Sequence, residues 1–118
     1  MATPAPTKVE TGANCTIHTW TLTTADHTGE AVELPMASDR TIQFTDTSSS
    51  WGSASASLDG SLDGVTYFIL TDPQGNAITK TDDALEAVLE NVRYIRPRLS
   101  TVGTGASVKC VLMSRNQR

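Results

Sequence analysis

The chain holds two cysteines, two residues each of Trp, Tyr and Phe, and no apolar run near the ~20 residues that a membrane helix needs. Two thiols are too few for a disulfide scaffold or a closed zinc site. Charged residues make up 19% of the chain, short of the ~25% of an average domain. The Glu, Lys and Leu enrichment of a coiled coil is missing as well. Residues 1–12, MATPAPTKVETG, show neither the basic n-region nor the apolar h-region of a secretory signal. A formal net charge of −4 argues against nucleic-acid binding driven by bulk charge. The charge is unevenly spread. All 13 acids lie between Glu10 and Glu90, and the chain up to Glu90 holds only the bases Lys8, Arg40 and Lys80. After Glu90 come bases alone: Arg93, Arg96, Arg98, Lys109, Arg115 and Arg118. If the signs fall on different faces, the molecule is electrostatically two-sided.

At 118 residues the chain is one domain's worth, long enough to bury a core. Thr and Ser supply about a quarter of it. Residues 1–12, with Pro4 and Pro6, read as an extended arm, either disordered or ordered on a partner. NCTIHTWTLTT alternates like a strand, but its apolar phase changes between Cys15/Ile17 and Trp20/Leu22, which predicts a bulge near His18–Thr19 or two short strands. Arg40–Asp46, Gly52–Leu58 and Ala106–Met113 alternate cleanly, and DGSLDG marks a turn. VTYFIL (Val65–Leu70) is apolar throughout and reads as a central strand buried on both faces. Pro97 pushes Val92–Ser100 towards an edge or a bulge. In TDDALEAVLEN, Leu85, Val88, Leu89 and Val92 sit at helical spacing, so residues 81–91 are open between a short helical turn and a strand. The pattern is all-β: an antiparallel β-sandwich or jelly-roll-like fold of about seven to nine short strands over 13–113, with a basic C-terminal tail at 114–118.

Catalytic and metal motifs are scarce. Asp59-x-Ser61-x-Asp63-Gly64 imitates a calcium loop, but the position for the bidentate Glu is Leu70. A hairpin turn accounts for the same residues. His18 and His27 stand beside no nucleophile motif. Cys15 and Cys110 fall in the first and last main strands, where contact is feasible, yet free thiols fit a chain with no sign of an oxidising compartment. These residues imply neither enzymatic chemistry nor a cofactor. The partner-binding candidates are Pro4, Pro6 and Lys8 of the arm, Trp51 behind its Ser-rich loop, and Arg93, Arg96, Arg98, Arg115 and Arg118. Trp51 reads equally as a core lid or a contact anchor. The arginines read as a solvated edge strand or as a contact to an acidic protein surface.

Trp51-x-x-Ala54, LDGSLDGVTYFILTDPQG and VRYIRPRLSTVGTGASVKCVLM together resemble small bacteriophage virion proteins. Those carry a GS-x-DG hairpin followed by an RYIRP strand, a Gly-rich turn and a Val-rich strand. The likeness spans residues 51–113, and the hairpin is also similar to that of discoidin-like, galactose-binding sandwiches. It implies a capsid decoration (cement) protein on the virion surface, made in the host cytoplasm. Its partner would be the major capsid protein, and the protein itself a homo-oligomer, dimer or trimer. Other roles of the same class are a head–tail or tail component. A carbohydrate-binding sandwich is the second reading. No nucleic-acid or membrane partner is implied.

Overall fold

The structure is a computed structural model that describes residues 5–12, 15–34, 39–47, 51 and 53–115. Among them ten antiparallel strands form two sheets, and no helix is present. The first sheet contains β1 (Thr7–Gly12), β2 (Cys15–Thr23), β4 (Asp39–Asp46), β8 (Ala84–Ala87) and β10 (Ser107–Arg115), in the order β1-β2-β10-β4-β8. The second contains β3 (Val32–Glu33), β5 (Ser55–Ser61), β6 (Phe68–Ile69), β7 (Thr79–Lys80) and β9 (Tyr94–Thr101), in the order β3-β9-β5-β6, with β7 also on β5. This is a β-sandwich.

Period-two alternation builds the core. Register sets Trp20 of β2 opposite Cys110 of β10, and Cys110 opposite Phe44 of β4. Leu22, Ile42, Val108 and Leu112 share that buried face. From the second sheet come Ala56, Leu58, Ile95, Pro97 and Leu99. Small residues let the layers approach: a Cβ on Gly29 would stand 2.8 Å from Trp20 Cδ1 and 2.9 Å from Pro97 Cδ. The Trp20 indole N–H donates to the Glu30 carbonyl at 2.9 Å, so the largest core side chain keeps its polar atom satisfied.

Several expectations from the sequence change. β2 runs unbroken from Cys15 to Thr23, without a bulge at His18–Thr19. Its buried face is the even one throughout, with His18 in line with Trp20 and Leu22, while Cys15 and Ile17 lie half-buried on the other face. Residues 7–12, assigned to the arm, pair with β2 as an edge strand, and β10 continues to Arg115 past the boundary drawn at 113. Residues 81–91 hold strand β8 rather than a helical turn. A helix this short is marginal alone, and β8 satisfies the edge of β4 from Thr41↔Ala87 to Phe44↔Ala84. Asp83 does not cap a helix; its Oδ1 accepts from the Asp46 amide at 2.9 Å and the Trp51 indole at 3.0 Å.

Val65–Leu70 is not a central buried strand. Only Phe68 and Ile69 are extended, at the edge of β5, and Val65 and Phe68 are 81% and 69% exposed. The preceding turn is the cause. Asp63 Oδ1 accepts from the amides of Val65 (2.8 Å) and Thr66 (2.9 Å), and Ser61 Oγ accepts from that of Gly64 (2.9 Å). These side chains compete with the sheet ladder for the backbone. Gly64 adopts a φ of +77°, which a Cβ would strain.

β9 is an interior strand despite Pro97. The Pro97 carbonyl accepts from Gly29 N at 2.9 Å, on the side away from β5. In an antiparallel strand a residue's N–H and C=O point the same way, so the missing N–H costs the β5–β9 ladder nothing.

Candidate docking site

One end of the second sheet opens into a cleft of about 350 Å³. The end of β5 (Gly60, Ser61), the turn (Leu62, Asp63, Thr66), β6 and Leu70, and Glu90 and Val92 of the connection from β8 to β9 line it. Gly60 forms the deep end. A Cβ there would lie 2.6 Å from Leu70 Cδ2 and 2.6 Å from Val92 Cγ2, so glycine lets these two side chains close over the core. The rim holds the exposed apolar groups Leu62, at 72%, Phe68 and Ile69, and exposed Val65 precedes the lining residue Thr66 in the turn. A contiguous exposed apolar patch with polar edges marks an interaction surface more often than a chance exposure.

Two carboxylates border the cleft. The Glu90 carboxylate accepts from Thr71 N at 2.8 Å and Thr71 Oγ1 at 2.6 Å. Burial opposes its ionisation, but these hydrogen bonds outweigh it and its pKa lies below the ordinary carboxylate value. Asp63 is held down to about 2 by the amides of Thr66 and Val65 and the Ser61 hydroxyl. That turn role also accounts for the calcium-like spacing: Asp63 spends its oxygen on its own loop. Among the described residues no group of three His, Cys, Asp or Glu is placed to hold a metal ion.

The residues singled out in the sequence lie elsewhere. Trp51 is 9% exposed and bonded to Asp83; it belongs to the core and is not an exposed anchor. The arginines do not form a free basic face. Asp59, 2% exposed in the middle of β5, takes Arg98 Nε at 2.7 Å and faces Arg96 Nε at 3.8 Å. The Arg96 guanidinium also lies 3.8 Å from the centroid of the Tyr67 ring. Arg93 pairs with Glu33 at 2.5 Å, and Arg115 with Asp39 at 2.5 Å. The charge split along the chain is thus cancelled in space by register, and the two-sided reading falls. Lys8 is exposed and Pro6 half-buried, while Pro4 and Arg118 lie outside the described residues.

Cys15 and Cys110 are free thiols. Their strands are neighbours, but Cys15 pairs with Arg115, five positions from Cys110 along β10, or ~17 Å at strand rise, and faces the opposite side. Burial pushes the Cys110 thiol pKa far up. His18 is 6% exposed and stacked on Trp20 at 6.1 Å between centroids. His27 Nδ1 lies 3.3 Å from Thr28 Oγ1.

Leu62, Phe68, Glu90 and Val92 were not legible as a site. The signal was present in VTYFIL, an apolar run directly behind two Asp-Gly turns, where exposure and burial look alike in sequence.

No protein family matches the chain, and no curated protein matches it. Among solved structures, it is similar to the crystal structure of protein NMB1881 from Neisseria meningitidis, with 14% identity over 90% of this chain and 79% of that one and a TM-score of 0.40. A likeness of that size carries no argument about fold or function.

Proposed function

We propose that the chain is a non-enzymatic structural protein of a bacteriophage virion, a capsid decoration protein that docks on the major-capsid lattice. The observation that carries this is the exposed apolar rim of the cleft, Leu62, Phe68 and Ile69. It falls inside the 51–113 stretch whose motifs resemble virion proteins. Elsewhere the arginines after Glu90 that are described are paired with acids of the same chain or reach carboxylates on the adjoining strand. With those arginines satisfied at home and exposed Leu62, Phe68 and Ile69 lining one cleft, the surface suits docking at that end. On a lattice, many weak copies gain through effective concentration. This role places the protein on the capsid surface after synthesis in the host cytoplasm. The carbohydrate reading relied on the discoidin-like hairpin and on Trp51, and the buried Trp51 ring offers no stacking face.

The test is co-sedimentation with expanded capsids. The wild-type chain is expected to bind, and Leu62→Ser and Phe68→Ser, at positions too exposed to matter for folding, are expected to lose most of the occupancy. Full occupancy by both variants, or no binding by the wild type, overturns the reading.

A further inference from the structure

The cleft specifies the chemistry of its occupant. Its walls are apolar, from Leu62, Phe68, Leu70 and Val92, and both charged side chains that line it are acids, Asp63 and Glu90. Among the described residues neither has an ion-pair partner. The cations near it are engaged: Arg40 donates to the Glu90 carbonyl at 3.4 Å and the Leu34 carbonyl at 2.7 Å, the Arg96 guanidinium lies over the Tyr67 ring at 3.8 Å and faces Asp59, and Lys80 is held by Glu86 at 2.7 Å.

We infer that the cleft seats a segment of a partner protein in which a large apolar side chain stands next to a lysine or arginine. The apolar side chain lies among Leu62, Phe68 and Val92, and the cation meets Glu90 and Asp63. This rests on the docking reading above and names the partner's chemistry at that same cleft. The carboxylates disfavour an anionic lipid surface. A small molecule that fills the cleft leaves the turn at Val65 uncovered, whereas a chain segment crosses it. A second copy fits less well: Arg93 is engaged by Glu33, Arg98 by Asp59 and Arg115 by Asp39, and exposed Lys109 stands between the buried Val108 and Cys110. Fixed carboxylates beside an apolar slot give orientation and partner choice more than raw affinity.

The test is selection of a random dodecamer peptide display library on the full chain, with backbone amide NMR to map where the selected peptide lies. The expected result is a consensus with an aromatic or aliphatic residue beside Lys or Arg, shifting the amides of Gly60, Leu62, Phe68 and Val92. Leu62→Ser is expected to weaken the selected peptide roughly ten-fold, and Glu90→Gln, which keeps an acceptor for Thr71, about five-fold with loss of salt dependence. An acidic or cation-free consensus, shifts away from the cleft, or no selected peptide overturns the assignment. So does a self-associated chain that Leu62→Ser converts to monomer in sedimentation. The capsid experiment separates the two claims. Capsid binding lost in Leu62→Ser with no apolar–cation consensus leaves docking standing and this assignment overturned. A consensus mapped to the cleft with capsid binding intact in Leu62→Ser does the reverse.

Discussion

Asp59 is the residue whose loss tests the account of the second sheet most directly. It stands in the middle of β5 with 4% of its side chain exposed, between Arg98 at 2.7 Å and Arg96 at 3.8 Å, with the Ser57 hydroxyl 3.4 Å away. Asp59→Ala leaves two cations on adjacent alternate positions of β9 with no counter-charge. Removing one partner of a fully buried ion pair costs roughly 3–5 kcal/mol. The two arginine side chains keep 28% and 30% exposure, so they can hydrate in part. That discounts the loss to about 2–3 kcal/mol. For a domain of this size it is a fall of ~8–12 °C in Tm. Urea denaturation followed by tryptophan fluorescence measures it, and an unchanged m-value certifies that the native state is the same. Asp59→Ala and Arg98→Ala are expected to be strongly non-additive, since the double variant no longer strands that cation. A loss below about 1 kcal/mol, or additivity of the two changes, would refute the claim that this pair matters to the sheet.

Three further outcomes follow from the packing. Gly29→Ala is expected to destabilise by about 1–3 kcal/mol in the same assay, because its Cβ meets the rigid rings of Trp20 and Pro97; a neutral result shows that the layers have slack there. Burial first, then the charge of Lys8, lowers the His18 pKa from 6.5, so the unfolded chain takes up a proton before the native one. Stability is therefore full above pH 6.5 and declines as pH falls below it towards the native pKa. Urea midpoints measured from pH 7.5 down to pH 5 should show this fall, and His18→Phe should flatten it. Thiol titration of the native protein should find the half-buried Cys15 reactive and Cys110 silent until unfolding; equal rates would contradict the burial of β10.

The sandwich was legible because alternation needs no tertiary information. Arg40–Asp46 and Ala106–Met113 declare a buried and an exposed face through their own side chains. What failed had local signals outvoted by partners far along the chain. Leu85, Val88, Leu89 and Val92 have helical spacing, but the unpaired edge of β4 claimed the backbone of Ala84–Ala87. VTYFIL has the composition of a buried strand, yet Ser61 and Asp63 had already bound the amides of Gly64, Val65 and Thr66. The arginines after Glu90 looked like a basic surface because sequence order separates them from their acids. Register alone puts Arg96 opposite Asp59, and Tyr94 of the same strand opposite Glu33. The cleft escaped notice for a related reason: Val92 and Gly60 meet only once β5 and β9 are side by side.

The pairing of β2 with β10 also bears on how the chain acquires its shape. Trp20 of β2 has Cys110, ninety residues later, as its neighbour, and β10 is the middle strand of its sheet. Until β10 has been made, the inner edge of β2 has no strand to pair with. Folding is thus an event of high contact order, with milliseconds to seconds as its natural timescale rather than microseconds. During synthesis at ~5–20 residues per second, β1 and β2 wait as an exposed Thr-rich hairpin. The face of β2 with Thr19, Thr21 and Thr23 is polar, while the face with Trp20 and Leu22 stays uncovered until the second sheet is there to receive it.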